Sequence, residues 1–291
     1  LVGKPPQEDF YLGKATERIF LPLMRTQLPE IIDMNMPAEG VFHNLVIISI
    51  EKRFPMQARR LMSALWGMGQ MSFVKTIVVF DHTVDIQDTS TLLDKLFNQI
   101  DFTHDLFFSE GILDVLNHAS DRAVYGSKLG IDLTEKIKGE DEFKRTLTNI
   151  SSPPSLSPEN IIETFTEITS CKIIEKKNNH KVALATIDKK FINQGLSLIE
   201  KFMSDDNFSL ITVLVILEGH ENINDSSTVM WKILNNIDPK RDIHLFKNRM
   251  GIDVTCKTGE KNYAQIWPDE ITMSSQVIKT VDQKWKKMFN E

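Results

Sequence analysis

One unit of this sequence is written twice. Ile47-Ile48-Ser49-Ile50-Glu51-Lys52-Arg53-Phe54 reads against Leu184-Ala185-Thr186-Ile187-Asp188-Lys189-Lys190-Phe191, 137 residues further on. The offset continues without a gap through Asp88/Asp225, Ser90/Ser227, Thr91/Thr228, Lys95/Lys232, Asn98/Asn235, Ile100/Ile237 and Asp101/Asp238. An offset held constant from position 47 to position 101 is hard to produce by chance, so both copies are expected to fold as the same supersecondary unit. Between them lies the Pro/Ser cluster Ser151-Ser152-Pro153-Pro154-Ser155, which reads as a linker. The expected division is 1–150 for a first α/β domain with a leading helix, 151–177 for a linker and connecting helix, and 178–291 for a second, degenerate copy with a C-terminal helix.

Within each copy the apolar period changes in the same order. Leu45–Ile50 and Val182–Ile187 are apolar on both faces, as strands covered on both sides should be. Ala58, Leu61, Met62, Leu65 and Trp66 then recur at helical spacing, as do Gly195, Leu198, Ile199 and Phe202. Strands follow at Val74–Phe80 and Ile211–Leu217. Leu92, Leu93, Leu96, Phe97 and Ile100 line a second helix, matched by Val229, Met230, Ile233, Leu234 and Ile237, with Asp88 and Asp225 as N-caps. A short strand near Asp105–Phe108 or Ile243–Phe246 closes each copy. The alternation predicts right-handed crossovers, and hence an α/β protein of two similar three-layer αβα units with mainly parallel sheets. A leading helix is expected over roughly Asp9 to Leu28, broken or kinked at Pro22. A last amphipathic helix runs from about Thr272 to Phe289, with Val277, Ile278, Val281, Trp285 and Met288 turned inward or docked on a partner subunit.

Composition narrows the function. Hydrophobic residues make up 41% and charged residues 25%, which suits a folded chain able to bury a core in each copy. Forty acidic against 34 basic residues give a net charge of −6, which disfavours nucleic acid as a partner. The two cysteines, Cys171 and Cys256, are too few for a disulfide framework and fit packing roles in a reducing cytoplasm. No apolar run approaches the length of a transmembrane segment. The opening Leu1-Val2-Gly3-Lys4-Pro5-Pro6 has neither an initiator Met nor a signal-peptide pattern and reads as the start of a fragment.

A dinucleotide site requires glycines where the first strand turns into its helix. The turns here are Glu51-Lys52-Arg53-Phe54-Pro55 and Asp188-Lys189-Lys190-Phe191, without glycine; Gly67 and Gly69 come after the helix and read as terminators. Asp81-His82-Thr83-Val84-Asp85-Ile86-Gln87-Asp88 sits at a crevice position and offers hard-cation ligands, but a solvated loop ending in a helix cap is the favoured reading. Its counterpart Glu218-Gly219-His220-Glu221-Asn222 does not keep the pattern, and no HExxH or GxSxG motif is present, so no metal ligand is assigned. His43, between Phe42 and Asn44, is a titratable ring beside an apolar strand. Gly126-Ser127-Lys128-Leu129-Gly130-Ile131-Asp132 reads as a loop with the character of an anion-binding turn.

Val2-Gly3-Lys4-Pro5-Pro6, Pro29-Glu30-Ile31-Ile32-Asp33, Met36-Pro37-Ala38-Glu39-Gly40, the Ile48–Lys52 strand end and Gly126-Ser127-Lys128-Leu129-Gly130-Ile131-Asp132-Leu133-Thr134 together resemble the C-terminal domain of the UbiD-like decarboxylases. That family includes 3-octaprenyl-4-hydroxybenzoate carboxy-lyase. The order and spacing fit over residues 1 to about 140, beyond which the second copy shows no clear Gly-Ser-Lys-x-Gly-x-Asp equivalent. Long-tailed chains of this kind are similar to menaquinone-type members.

The resemblance implies a non-oxidative decarboxylase of aromatic acids in quinone biosynthesis, using prenylated FMN, Mn²⁺ (or Mg²⁺) and K⁺, the flavin being supplied by a flavin prenyltransferase. The family's catalytic and cofactor-holding residues belong to a preceding domain, so no catalytic residue, metal or cofactor is expected on this chain alone, and the chain alone is expected to be inactive. What the resemblance leaves to this domain is homo-oligomer contact and a substrate-cavity wall at Phe42, His43, Ile112 and Leu113, with Gly126, Ser127, Lys128, Gly130 and Asp132 as the family-motif loop. The implied location is cytoplasmic, and membrane-peripheral where the substrate is prenylated. A non-catalytic structural module is the rival reading.

Overall fold

The computed structural model describes residues 2–4, 7–88, 92–96, 100–143, 156–175, 181–261, 263–271 and 273–289. The linker Ser151–Ser155 lies outside the described residues, as do Pro5, Pro6, Ser90, Thr91, Phe97, Asn98 and Thr272.

The strands form two five-stranded sheets of identical layout. The first contains β1 (Ile31–Asn35), β2 (Leu45–Ile50), β3 (Thr76–Asp81), β4 (Leu106–Ile112) and β5 (Tyr125–Asp132), in the order β1-β2-β3-β5-β4. The second contains β6 (Ile168–Glu175), β7 (Lys181–Ile187), β8 (Ile211–Glu218), β9 (Ile243–Phe246) and β10 (Arg249–Asp253), in the order β6-β7-β8-β10-β9. In each sheet the three central strands run parallel and both edge strands are antiparallel to their neighbours.

Helix α1 (Gln7–Gln27) leads into the first sheet, α2 (Gln57–Trp66) joins β2 to β3, and α3 (92–96) follows β3. Helix α4 (Pro158–Thr164) leads into the second sheet, α5 (Gln194–Ser204) joins β7 to β8, and α6 (Ser226–Asn236) and α7 (Pro239–Asp242) follow β8. Each starts where its sequence permits. Asp225 accepts from the Thr228 amide at 3.2 Å and so caps α6. At the turn before α2 the amide of Arg53 donates to Gln57 at 2.7 Å, and before α5 the amide of Lys190 donates to Gln194 at 2.6 Å. The residue ahead of each of these helices, Met56 or Asn193, has a left-handed backbone with φ of 60° and 59°. Helix α1 continues through Pro22 rather than breaking there.

Alternation along the central strands feeds two cores. Val46, Ile48 and Ile50 point to an outer core with Leu61, Met62 and Leu65 of α2 and Leu21 and Met24 of α1. Leu45 and Ile47 point the other way, into an inner core that also takes Val182 and Leu184 of β7, Val213 and Val215 of β8, Leu92 of α3, and Val229 and Leu234 of α6. The second outer core gathers Ala183, Ala185 and Ile187 with Leu198, Ile199 and Phe202 of α5. The inner core is therefore common to both units. Hydrogen bonds reinforce it: Tyr263 Oη donates to His118 O at 3.0 Å, and Gln265 Nε2 to Ser120 O at 2.6 Å.

Three expectations are corrected. Gly126–Asp132 is not a loop but most of β5, a central strand, in which Gly130 admits α2 against the sheet: a Cβ there would collide with the Met62 sulfur. The strands β1 and β6 were not anticipated; β6 lies within the stretch read as a connector, since an edge strand with Thr169, Ser170 and Lys172 carries little apolar signal. The apolar face of α8 (Ser275–Phe289) is not turned inward: Val277, Ile278, Val281, Trp285 and Met288 are all exposed.

Gly251 in β10 stands where Gly130 stands in β5, but its neighbour is Ile199, a β-branched side chain with little rotamer freedom, instead of Met62. Gly251→Ala is expected to cost about 1–3 kcal/mol of stability through overpacking, and Gly130→Ala less, because Met62 can swing aside. Denaturant midpoints at unchanged slope measure both; equal or reversed losses would contradict this packing.

Candidate functional site

Of the residues expected to carry function, Gly126 and Ser127 meet the second unit directly and His43 lies beside Lys75, which reaches that unit; the others sit within the first unit. Phe42 and Val41 take left-handed backbone conformations, with φ of 60° and 46°, in the tight turn before β2. The turn lays the Phe42 ring against Gly13 of α1, where a Cβ would collide with it. His43 follows, 8% exposed, its amide donating to Val41 O at 2.7 Å and its carbonyl accepting from the Lys75 amide at 2.8 Å. Burial lowers its pKa to about 4, with Lys75 acting the same way and Asp114 opposing. Asp114 directly follows Leu113, so the segments of His43 and Leu113 come within electrostatic reach of each other. Leu113 is buried, whereas Ile112, at the end of β4, is half exposed.

The Gly126–Asp132 motif ties the first unit to the second. Asp238, just before α7, accepts from the Ser127 amide at 3.1 Å and from the Ser127 hydroxyl, while the Lys240 amide donates to that hydroxyl oxygen at 2.9 Å. Gly126 is required here because a Cβ would run into Asp238 and Ser120. Lys128 is buried and donates to Ser72 O at 2.7 Å and Val74 O at 2.8 Å; burial lowers its pKa to about 8. Lys75, wholly buried, donates to Ile237 O at 3.0 Å and Asn235 O at 3.3 Å at the end of α6. Burial brings its pKa down to about 7 against the pull of Asp238 and Asp242.

Asp132 accepts from Thr134 and pairs with Lys136 at 3.1 Å; although burial works to raise its pKa, those partners hold it below the ordinary range. The second unit repeats the arrangement. Asp253 accepts from the Thr255 hydroxyl at 2.7 Å and pairs with Lys257 at 2.9 Å. Lys52 pairs with Glu140 at 2.6 Å in the first unit and Lys189 with Glu260 at 2.5 Å in the second. These two pairs occupy the ends of β2 and β7, the crevice where a nucleotide phosphate would sit, and each lysine head is already held by oxygen acceptors.

The counterpart of the motif in the second copy, where the sequence shows no clear equivalent, is Arg249-Met250-Gly251-Ile252-Asp253. Arg249 replaces Lys128 and donates to the backbone oxygens of Ile211, Met203 and Phe208 at 2.7–2.9 Å. Val74 and Ile211, which receive these cations, are themselves 137 residues apart.

A cleft of about 790 Å³ opens between the units, bounded by Gly126, Ser127 and Tyr125 on one side and by Asp238, Arg241 and Tyr263 on the other. Phe42, His43, Ile112 and Leu113 are not among its lining residues. Of the residues that build it, Asp238 carried a signal in the repeat, while Arg241 and Tyr263 carried none.

Among the described residues one group has metal-ligand geometry: His220, Glu221 and Glu270, whose donor atoms lie within 4.8 Å of one another. It does not fit a divalent ion, because the ammonium of Lys232 is already seated among them, 2.6 Å from Glu221 and paired with Glu270. Asp81, the anchor of the sequence-level cation candidate, instead accepts the Glu135 amide at 2.6 Å. Among the described residues no helix is long and apolar enough to cross a membrane.

Residues 10–133 and 152–266 match the family described as the 3-octaprenyl-4-hydroxybenzoate carboxy-lyase C-terminal domain. An uncharacterised protein of Helicobacter pylori (strain J99) is 34% identical over 285 residues, which are 98% of this chain and 45% of that protein. One from Aquifex aeolicus is 49% identical over 140 residues, 48% of this chain and 29% of its own length. The chain thus spans less than half the length of these relatives. Among solved structures, the UbiD-class enzyme HmfF from Pelotomaculum thermopropionicum in complex with FMN is similar at 27% identity and a TM-score of 0.40, covering 50% of this chain and 32% of the enzyme.

Proposed function

This chain belongs to the 3-octaprenyl-4-hydroxybenzoate carboxy-lyase C-terminal domain family, and we propose that it is the C-terminal portion of a prenyl-FMN-dependent, non-oxidative aromatic-acid decarboxylase of quinone biosynthesis. The observation that carries this reading is that the family match runs through both units, residues 10–133 and 152–266, in a chain whose Helicobacter relative is about twice as long. In this reading the catalytic groups, the prenylated FMN, the Mn²⁺ or Mg²⁺ and the K⁺ reside upstream of Leu1, and a flavin prenyltransferase supplies the cofactor.

The part left to this chain is structural and shaping. His43 and Leu113, buried near the inter-unit joint, and Phe42, seated on α1, hold one edge of the substrate cavity, with Ile112 at its rim. The exposed apolar faces of α1 (Tyr11, Ile19, Leu23) and α8 (Val281, Trp285, Met288) supply homo-oligomer contact. The two units arose by duplication, with the Ser151–Ser155 linker between them, and the protein works in the cytoplasm. A second reading, a purely structural module, draws on the inner core shared by the two units, which makes the pair one packed body.

Native mass spectrometry of the protein from its own source separates the two. A subunit well above the mass of this chain, carrying prenylated flavin and a divalent metal, supports the decarboxylase. A subunit of this chain's mass without cofactor supports the module. The 291-residue chain by itself is expected to release no CO₂ from aryl acids when given prenylated FMN and Mn²⁺; measurable release would place catalytic groups on it and overturn the division proposed.

A further inference from the structure

The two units carry different side chains at one corner, and in the second unit that corner lies in the inter-unit cleft. In the first unit that corner is filled. Arg59 of α2 donates to His104 O at 2.5 Å and its guanidinium stands over the rings of Phe107 and Phe143, 5.7 and 5.1 Å from their centroids. The repeat puts Leu196 where Arg59 stands, Arg241 for His104 and His244 for Phe107. Tyr263 takes the place of Phe143, since both amides donate to the carbonyl of the glutamate three residues earlier, Glu260 or Glu140. Leu196 is too short to reach across, and the corner becomes part of the 790 Å³ cleft.

The chemistry of the walls is asymmetric in depth. The carboxylates at the back are already engaged: Asp238 by Ser127, Asp253 by Lys257, Glu260 by Lys189, and Asp242 by Arg241 through Nε and Nη2, both at 2.7 Å. The Arg241 Nη1 is buried and has no acceptor, so the guanidinium keeps one donor that a group pressing in from the cleft would have to reach, and it lies over the Tyr263 ring at 5.7 Å. Toward solvent the cleft presents Arg122, Lys240 and Lys261; Lys240 is paired with Glu110 at 2.5 Å, and Arg122 stands 3.5 Å from Asp121. Cations thus outnumber anions where a ligand would enter, and Leu196, Tyr125 and Tyr263 offer apolar and aromatic surface beside them. We propose that this cleft binds a small organic anion, a carboxylate on an apolar or aromatic body, with Arg241 and Lys261 addressing the charge. The site lies between the two units and draws its walls from both.

The test is calorimetric titration of the 291-residue chain with benzoate, and separately with inorganic phosphate. Saturable benzoate binding is expected, with phosphate at least about tenfold weaker because it gains nothing from the aromatic wall. Leu196→Arg, which restores the first unit's plug, is expected to weaken benzoate by about tenfold or more. Lys261→Glu at an exposed position should also weaken it without touching the core. Absence of saturable benzoate binding at millimolar concentration, phosphate binding as tightly as benzoate, or indifference to both substitutions would overturn the site. None of these readouts involves CO₂ release, so failure here is distinguishable from failure of the decarboxylase reading.

Discussion

Replacing Lys257 by Met is expected to lower the unfolding free energy by about 3–5 kcal/mol, because it strips the partner from buried carboxylates that cannot reach water. Lys257 is 1% exposed; its ammonium lies 2.9 Å from Asp253, 3.6 Å from Asp242 and 3.1 Å from the carbonyl of Asp253. Burial already pushes the Asp242 carboxyl above its ordinary range, with Lys257 and Arg241 pulling it back. Lys136→Met should behave alike, since that ammonium bridges Asp105 at 3.0 Å and Asp132 at 3.1 Å in the first unit. The isosteric double variant Lys257→Met/Asp253→Asn should recover part of the loss, since the group left behind is then neutral. Chemical denaturation with a fitted slope provides the measurement. A loss under about 1 kcal/mol would mean that water reaches the network and that it contributes as a surface pair does.

Much of this network could be seen in the sequence only up to the point where the repeat changes step. Asp101 and Asp238 keep the offset of 137, and so do Asp105 and Asp242, which turn back to accept the amides of Asp101 and Asp238 at 2.9 and 2.7 Å. Asp132 and Asp253, however, are 121 residues apart. The first unit spends residues 113–124 between β4 and β5, whereas Lys247-Asn248 alone joins β9 to β10. A search at fixed offset loses the motif at that deletion, and the exchange of Lys128 for Arg249 conceals it further.

The extra residues of the first unit explain what was least legible. That segment carries Asn117, His118 and Ser120 across to the second unit, where Tyr263 and Gln265 bind its carbonyls. Such contacts depend on how the two units meet, which neither periodicity nor spacing encodes. The central strands β2, β3, β7 and β8 could be read because burial on both faces writes itself as an unbroken apolar run, as in Leu45–Ile50. The edge strands β1 and β6 could not, because one side of the ladder is open to water, and the interior strands β5 and β10 could not, because glycine and charged residues interrupt their apolar runs.

The same joint makes the fold sensitive to acid. His43 and His118 both lie in it, and burial lowers each pKa from 6.5 to about 4; Lys75 depresses both, while Asp114 opposes at His43 and a hydrogen bond from the Asn236 side opposes at His118. The Nε2 atoms of both rings are buried with no partner, so a proton there would find no hydrogen-bond acceptor, in the case of His118 with the ring edge-on to Trp267 at 4.7 Å. Between pH 6.5 and about 4 the unfolded chain takes up protons that the folded chain refuses, so stability rises with pH across that window and levels off above it. Each ring contributes up to about 3 kcal/mol over the window, less whatever water penetration relieves. Lys75 extends the slope in the same sense at higher pH, since its lowered pKa of about 7 leaves the folded state short of a proton up to the ordinary lysine range. Unfolding free energies measured from pH 4 to 7 should therefore fall steeply on acidification in the natural sequence and flatten in His43→Gln/His118→Gln. If the two curves run parallel, the rings take up their protons with water at hand, and the joint between the units is wet.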